Sequence, residues 1–251
     1  RGATNLTLTS PARTGIIRAR GCTEWYLQRL LGGVGGGNDL LKFSADDALT
    51  YAGSRIVMEH VRVQDGPCWQ VNMEKVVDVV VRHVTVEITC LGMKPRGTVT
   101  EMIGAIAENT DGIDIWGKNV HIHDVNVSNG DDCICVKGNA DGSGIFSENW
   151  LVEDSVASGE GLSIGTMWSG GFLTRNVTWR NIVMRNTRKA IYVKVDSTDN
   201  QVLDVAYQNI SVDGAALQVP VMIGAIHQFA GGCPWEWPWL HVGTCSVGSN
   251  A

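Results

Sequence analysis

One short pattern recurs six times along the chain and limits the fold more than any other feature. It is a polar residue followed by alternating, mostly β-branched apolar positions. The segments are Glu59-His-Val-Arg-Val63, Arg82-His-Val-Thr-Val86, His123-Asp-Val-Asn-Val127, Glu153-Asp-Ser-Val156, Arg180-Asn-Ile-Val-Met184 and Gln208-Asn-Ile-Ser-Val212. Their polar members His60, His83, Asp124, Asp154, Asn181 and Asn209 follow one another at intervals of 23, 41, 30, 27 and 28 residues. Period-2 alternation marks strands, and strands returning at roughly 20 to 45 residues mark stacked structural repeats. A hairpin sandwich would turn back every 8 to 12 residues or so. A doubly wound α/β fold needs helices of about ten residues or more between strands. The connectors here are GVGGGND, NGDDC, GNADGSG, SGEG and MWSGG, which have turn composition. The expected fold is all-β: a parallel β-helix in which each coil buries its Val/Ile face and extends one core. No domain boundary interrupts the repeat, so residues 1–251 are expected to form one domain. The chain opens on Arg1 and at once on the strand-like ATNLTLTS, so N-terminal residues and any targeting segment are expected to precede it.

Composition narrows the partners. The formal net charge is −6 with Lys and Arg scattered along the chain, which argues against the basic face that a nucleic acid or an anionic membrane requires. No run approaches the roughly 18 to 20 apolar residues needed to cross a bilayer. Seven Cys and four Asn-x-Ser/Thr sequons, at Asn5, Asn126, Asn176 and Asn209, point to secretion and an extracellular or cell-wall location. The odd Cys count leaves at least one thiol without a partner in the chain. Cys233 and Cys245 are near enough in sequence to close a loop. Cys133 and Cys135 project from one face of a strand about 7 Å apart, too far to bridge. No Cys-x2-Cys pattern recurs, so neither zinc nor another metal or cofactor is expected.

Three acidic patches stand at intervals near one coil: Asn109-Thr-Asp-Gly-Ile-Asp114, Asp131-Asp132, and Gly159-Glu-Gly-Leu-Ser-Ile-Gly165. Residues one coil apart stack at roughly 4.8 Å. Asp111, Asp131 or Asp132, Glu160 and Lys194 are therefore expected to line one groove. Gathered carboxyl groups raise one another's pKa, an arrangement suited to keeping one acid protonated beside ionised neighbours. Glycoside hydrolysis needs that division: an acid for the leaving oxygen and a base for the attacking water.

NTDGID, Asp131-Asp132-Cys133 with Lys137 after it, GEGLSIG and Tyr192-Val-Lys194 resemble, in order, the motifs of polygalacturonase-type glycoside hydrolases (family 28). Asn5-Leu-Thr-Leu-Thr9, Gly21-Cys-Thr-Glu-Trp25, Leu40-Leu-Lys-Phe43 and Gly66-Pro-Cys-Trp69 are similar to that family's early coils, so the resemblance covers nearly the whole chain. It implies a right-handed β-helix that cleaves pectic, galacturonate-containing polysaccharide by inverting single displacement. It assigns Asp131 as the acid, with Asp111 and Asp132 positioning and activating water. Two positions depart from the family pattern. Glu160 replaces the His between two glycines, which is expected to add repulsion and raise carboxyl pKa values further. Tyr192 replaces an Arg and removes a fork suited to a sugar carboxylate. A Cys common before the first of those glycines is Ala157 here, so the family's disulfide to Cys133 is not expected.

Each feature also has a plainer reading. Asp and Asn in Gly-rich turns are often only turn formers; their combination at coil spacing favours an active site. Lys194 is read as a substrate ligand, against pairing with nearby acids. Glu160, Tyr192, Asn109 and Trp168 are candidate substrate contacts, Trp168 because it follows GLSIGTM. Pro234-Trp-Glu-Trp-Pro-Trp239 reads as a cap over the core. His60 and His83, like His121 and His123, read as structural. The function expected is a pectic glycosidase. A catalytically impaired, carbohydrate-binding or structural β-helix is the alternative, and a Ca²⁺-dependent lyase ranks behind both. With Glu160 in place of His, the pH optimum is expected to be set by coupled carboxyl groups. Oligomeric state is left open.

Overall fold

The computed structural model describes residues 3–24, 39–44, 51–92, 109–138, 146–167, 170–195, 199–214 and 219–224. Every strand pairing in it is parallel. The strands wind as a right-handed parallel β-helix with three faces. The first face runs through β1 (Ala3–Thr9), β4 (Gly53–Glu59), β6 (Val71–Arg82), β8 (Ile113–His123), β11 (Ser147–Ser158), β13 (Leu173–Arg185) and β15 (Gln201–Asp213). The second runs through β2 (Gly15–Arg18), β5 (Val61–Gln64), β7 (Thr85–Glu87) and β9 (Asn126–Ser128), then the C-terminal parts of β11, β13 and β15. The third comprises β3 (Leu41–Phe43), the N-terminal parts of β6 and β8, β10 (Ile134–Gly138), β12 (Leu162–Met167), β14 (Lys189–Lys194) and β16 (Val219–Gly224).

The six polar residues of the repeat form a corner. His60, His83, Asp124, Asp154, Asn181 and Asn209 all have φ between 49° and 55°, the left-handed region that Asn, Asp and His enter more readily than other L-residues. Each bends the chain from the first face to the second. Their side chains stack along the helix: Asn209 donates to Asn181 at 2.9 Å and Asn181 to Asp154 at 3.0 Å. The His60 and His83 rings lie nearly parallel, 4.9 Å apart, and those of His121 and His123 are 4.4 Å apart. A second column of left-handed residues includes Asn5, Asp78, Asn119, Asn149 and Asn176. There Asn176 donates to Asn149 and Asn149 to Asn119. All four sequon asparagines are exposed; three of them, Asn5, Asn176 and Asn209, occupy structural corners, and Asn126 lies on β9. The long 41-residue interval accommodates a 3-10 turn, Thr89–Gly92, together with residues outside those described.

Between corners, alternation sends one side chain in two inward, and the register stacks like on like. Met58, Val81, Ile122, Val152, Trp179 and Tyr207 form one column on the first face. Val71, Ile113, Ile134, Leu162 and Ile191 form one on the third. The interior is accordingly a dry strip of Val, Ile and Met, most of it fully buried.

Cys22 and Cys90, 68 residues apart, form a disulfide that nothing in their spacing announces. Cys133 and Cys135 are buried free thiols, in keeping with their geometry on a strand. Cys233, Cys245, the tryptophan-rich segment 234–239 and Trp168 lie outside the described residues.

Candidate active site

The carboxylates gather where the chain turns from the second face into the third. Four backbone hydrogen bonds lock three successive coils there. Gly112 donates to Asp132 (2.8 Å), Ile113 to Cys133 (3.0 Å), Cys133 to Gly161 (2.9 Å) and Glu160 to Asp131 (2.7 Å). The pairing Ile113–Ile134–Leu162–Ile191, followed two residues back, puts Asp111, Asp132, Glu160 and Lys189 in one column. Asp131 sits beside it in the turn. The Asn129 amide donates to the Thr110 and Asp132 carbonyls at 3.0 and 2.7 Å and fixes both turns. Gly161 has φ +115°, and a Cβ there would lie 2.6 Å from the Lys189 carbonyl. Only glycine fits, which accounts for the last residue of Gly-Glu-Gly.

One oxygen from each of Asp111, Asp131 and Asp132 lies within 4.8 Å of the others, and all three residues are buried. Their surroundings drive the carboxyls apart electrostatically. Burial, then the charges of Asp111 and Asp132, pushes Asp131 up to about 7, against the pull of Lys194 and the Asn109 N–H. That N–H reaches Asp131 Oδ2 at 2.9 Å, and the Asp132 N–H reaches Oδ1 at 2.8 Å. Burial also opposes ionisation of Asp132, but Lys194 and Lys137 overcome it and hold Asp132 down to about 2. Lys194 Nζ lies 2.6 Å from Asp132 Oδ2, and the Ser163 hydroxyl donates to Oδ1 at 2.6 Å.

Below these three, Asp114 is wholly buried, and burial followed by the Asp111 charge raises its pKa well above the ordinary value. The Lys137 ammonium lies 3.0 Å from Asp111, 3.3 Å from Asp114 and 3.4 Å from Asp132, and 4.7 Å from the Trp69 ring centre. Asp131, raised toward neutrality, thus stands beside Asp132, held ionised by Lys194 and Lys137. The site can then present a proton donor next to an ionised acceptor, the requirement of acid–base hydrolysis. Asp111 Oδ1 is buried and has no hydrogen-bond partner among the described residues. The same three carboxylates are the described group with spacing suited to a cation. A donor raised toward neutrality and two lysines already paired to these carboxylates fit proton transfer better than a hard cation.

Glu160 behaves differently from the sequence-based expectation. Its carboxylate pairs with Lys189 at 2.6 Å and with Arg188. The charge introduced in place of His is locally neutralised and adds no repulsion to the aspartates. Lys194, read as a substrate ligand, is spent on Asp132. The buried Tyr192 ring meets both the Lys189 and Lys194 ammonium groups, 4.6 Å from each. Asn109 contributes through its backbone. Sequence reasoning missed Asp114, Ser163, Trp69 and Lys189, and treated Lys137 as a motif marker only.

Fold and site together define a parallel β-helix with a buried aspartate cluster at one turn. Residues 49–233 match Glycosyl hydrolases family 28, and the chain belongs to that family. A "Probable rhamnogalacturonase C" of Aspergillus flavus is 34% identical over 113 residues, 45% of this chain and 23% of the relative. A "Probable rhamnogalacturonase E" of the same organism is 26% identical over 214 residues, 80% of this chain and 44% of the relative. An endo-xylogalacturonan hydrolase from Aspergillus tubingensis superposes with a TM-score of 0.64 at 23% identity, covering 87% of this chain and 56% of that structure. A polygalacturonase from Erwinia carotovora gives 0.62 at 19% identity, covering 84% and 52%. The chain spans about half the length, or less, of these proteins.

Proposed function

We propose that the chain hydrolyses glycosidic bonds in a pectic, galacturonate-containing polysaccharide by single displacement with inversion. The observation that carries this reading is the split within one buried cluster: Asp131 pushed up to about 7 beside Asp132 held at about 2. The Asp131 hydroxyl gives its proton to the glycosidic oxygen as the bond to the anomeric carbon breaks. A water held by Asp111 and Asp132 attacks that carbon from the other side and yields its proton to one of them. Lys194 and Ser163 keep Asp132 ionised, Lys137 steadies Asp111, and Asn109 orients the acid.

The relatives named for rhamnogalacturonan and xylogalacturonan support a branched or mixed pectic substrate over plain homogalacturonan. So do Glu160 and Tyr192, which leave no fork of the usual kind for a sugar carboxylate. The nearest carboxyl oxygens lie within 4.8 Å, tighter than the roughly 6.5 to 9.5 Å of a two-carboxylate inverting pair. Inversion therefore rests on the family resemblance and on two carboxylates sharing the water. The disulfide Cys22–Cys90 suits an oxidising, extracellular setting, where all four sequon asparagines are exposed as possible glycan acceptors.

The test is reducing-sugar release from homogalacturonan, rhamnogalacturonan and xylogalacturonan, with the product anomer followed by proton NMR. Release of the inverted anomer, abolished in Asp131→Asn, is the expected result. A retained anomer overturns the mechanism. Carbohydrate binding without release by the folded protein overturns the reaction and leaves a binding β-helix.

A further inference from the structure

A second site lies on a different corner from the carboxylates. The turn after β1, the start of β2 and the His60–His83 corner enclose a groove of about 710 Å³, within the size range of ligand pockets. Its walls carry Arg13, Arg62, Arg82, His60 and His83, and no carboxylate lines it among the described residues. This is a basic concavity on a chain of net charge −6. The three arginines are far apart in sequence, and only the coiling brings them together.

The groove is organised for an anion. Glu59, outside the groove, accepts from Arg82 Nε at 2.8 Å, and Glu87, also outside it, lies 3.4 Å from Arg62. Arg82 Nη2 also meets Glu59, at 2.7 Å, so Arg82 is fixed by its carboxylate, while Arg62 keeps the looser ion pair and Arg13 supplies the uncommitted guanidinium. Arg62 is about half exposed. The Arg13 side chain is exposed and has no carboxylate partner among the described residues. Ile16, 54% exposed, adds an apolar patch to the lining that holds the two stacked imidazoles. Guanidinium and aliphatic surface in one groove match a uronate ring, whose carboxylate takes a guanidinium and whose C–H face takes the aliphatic surface.

We propose that this groove is an accessory binding site for the uronate residues of an acidic polysaccharide, separate from the carboxylate cluster. The ligand class rests on the reading under Proposed function; the site itself rests on the groove. It holds polymer on the N-terminal coils while the cluster acts on another stretch.

The complete chain carrying Asp131→Asn, titrated with a galacturonate oligosaccharide and followed by the imidazole NMR signals of His60 and His83, tests this. Those signals are expected to shift with saturation. The Arg13→Gln/Arg62→Gln double variant, both positions being exposed, should need about tenfold more oligosaccharide, the equivalent of two exposed charge contacts. The methyl-esterified oligosaccharide and inorganic sulfate at equal concentration should leave the signals in place. Unmoved signals, an unchanged double variant, or an equal shift with sulfate (an adventitious ion only) each overturn the proposal. Cleavage by the wild-type chain without these shifts sinks the accessory site alone. Shifts without cleavage sink the hydrolase reading alone.

Discussion

Asp131→Asn should reverse its effect on stability between mildly acidic and mildly alkaline pH. In the folded chain Asp131 is raised from the ordinary aspartate value of 3.8 to about 7. A raised folded pKa contributes stability that is fully present below the unfolded value and lost as pH rises through the folded one. At about 1.4 kcal/mol per pH unit the whole loss is about 4 kcal/mol, of which about 3 falls between about pH 5 and about pH 8. Asn carries no charge and escapes this loss. It has one carbonyl oxygen for the two backbone N–H groups of Asn109 and Asp132 that Asp131 accepts, a cost of about 1 to 3 kcal/mol. The variant should therefore be less stable than wild type near pH 5 and at least as stable near pH 8. Urea unfolding of both proteins at the two pH values reads this directly. A constant difference would show that Asp131 does not hold its proton in the fold, and the assignment of the general acid would go with it.

Lys194→Met should strand Asp132 as a buried, poorly compensated carboxylate and cost about 3 to 5 kcal/mol in denaturant unfolding. In any activity that survives, the acidic limb of the pH–rate profile should move upward from about 2, because the cation that depresses Asp132 is gone. Lys189→Met alone should be destabilising, because buried Glu160 is left with Arg188 as its one cation, whereas the double variant with Glu160→Gln should recover part of that loss. An additive double-mutant cycle would refute the pairing. Gly161→Ala, at φ +115° with its Cβ 2.6 Å from the Lys189 carbonyl, should lower stability by more than about 1 kcal/mol. An unchanged melting temperature would contradict that account.

The corner residues were legible because they must be both polar and tolerant of positive φ. His60, His83, Asp124, Asp154, Asn181 and Asn209 therefore mark a column in the sequence itself. Asp111, Asp131 and Asp132 were legible for a related reason: their spacing is one coil. The electrostatic outcome at Glu160 was not, because Arg188 and Lys189 lie outside the motifs and reach it only when the next coil stacks. Asp114 and Ser163 had a signal that went unused. Val71-Asn-Met73, Ile113-Asp-Ile115, Ile134-Cys-Val136, Leu162-Ser-Ile164 and Ile191-Tyr-Val193 are apolar-x-apolar triplets aligned by the strand register. Their middle residues form the column that supports the aspartates. The Cys22–Cys90 bridge and the grouping of Arg13, Arg62 and Arg82 had none, since both join coils through the third dimension alone.

The most direct test of the central claim is the pH dependence of kcat/KM on the preferred pectic polymer, with Asp131→Asn alongside. A buried carboxyl acting as general acid predicts activity that falls as pH rises through about 7 and is absent from the variant. Among the described histidines His60 and His83 lie on another corner and His121 and His123 on β8 beside it, so replacing any of them should leave that limb in place. A limb that disappears with one of these histidines, or full activity in Asp131→Asn, would contradict the account.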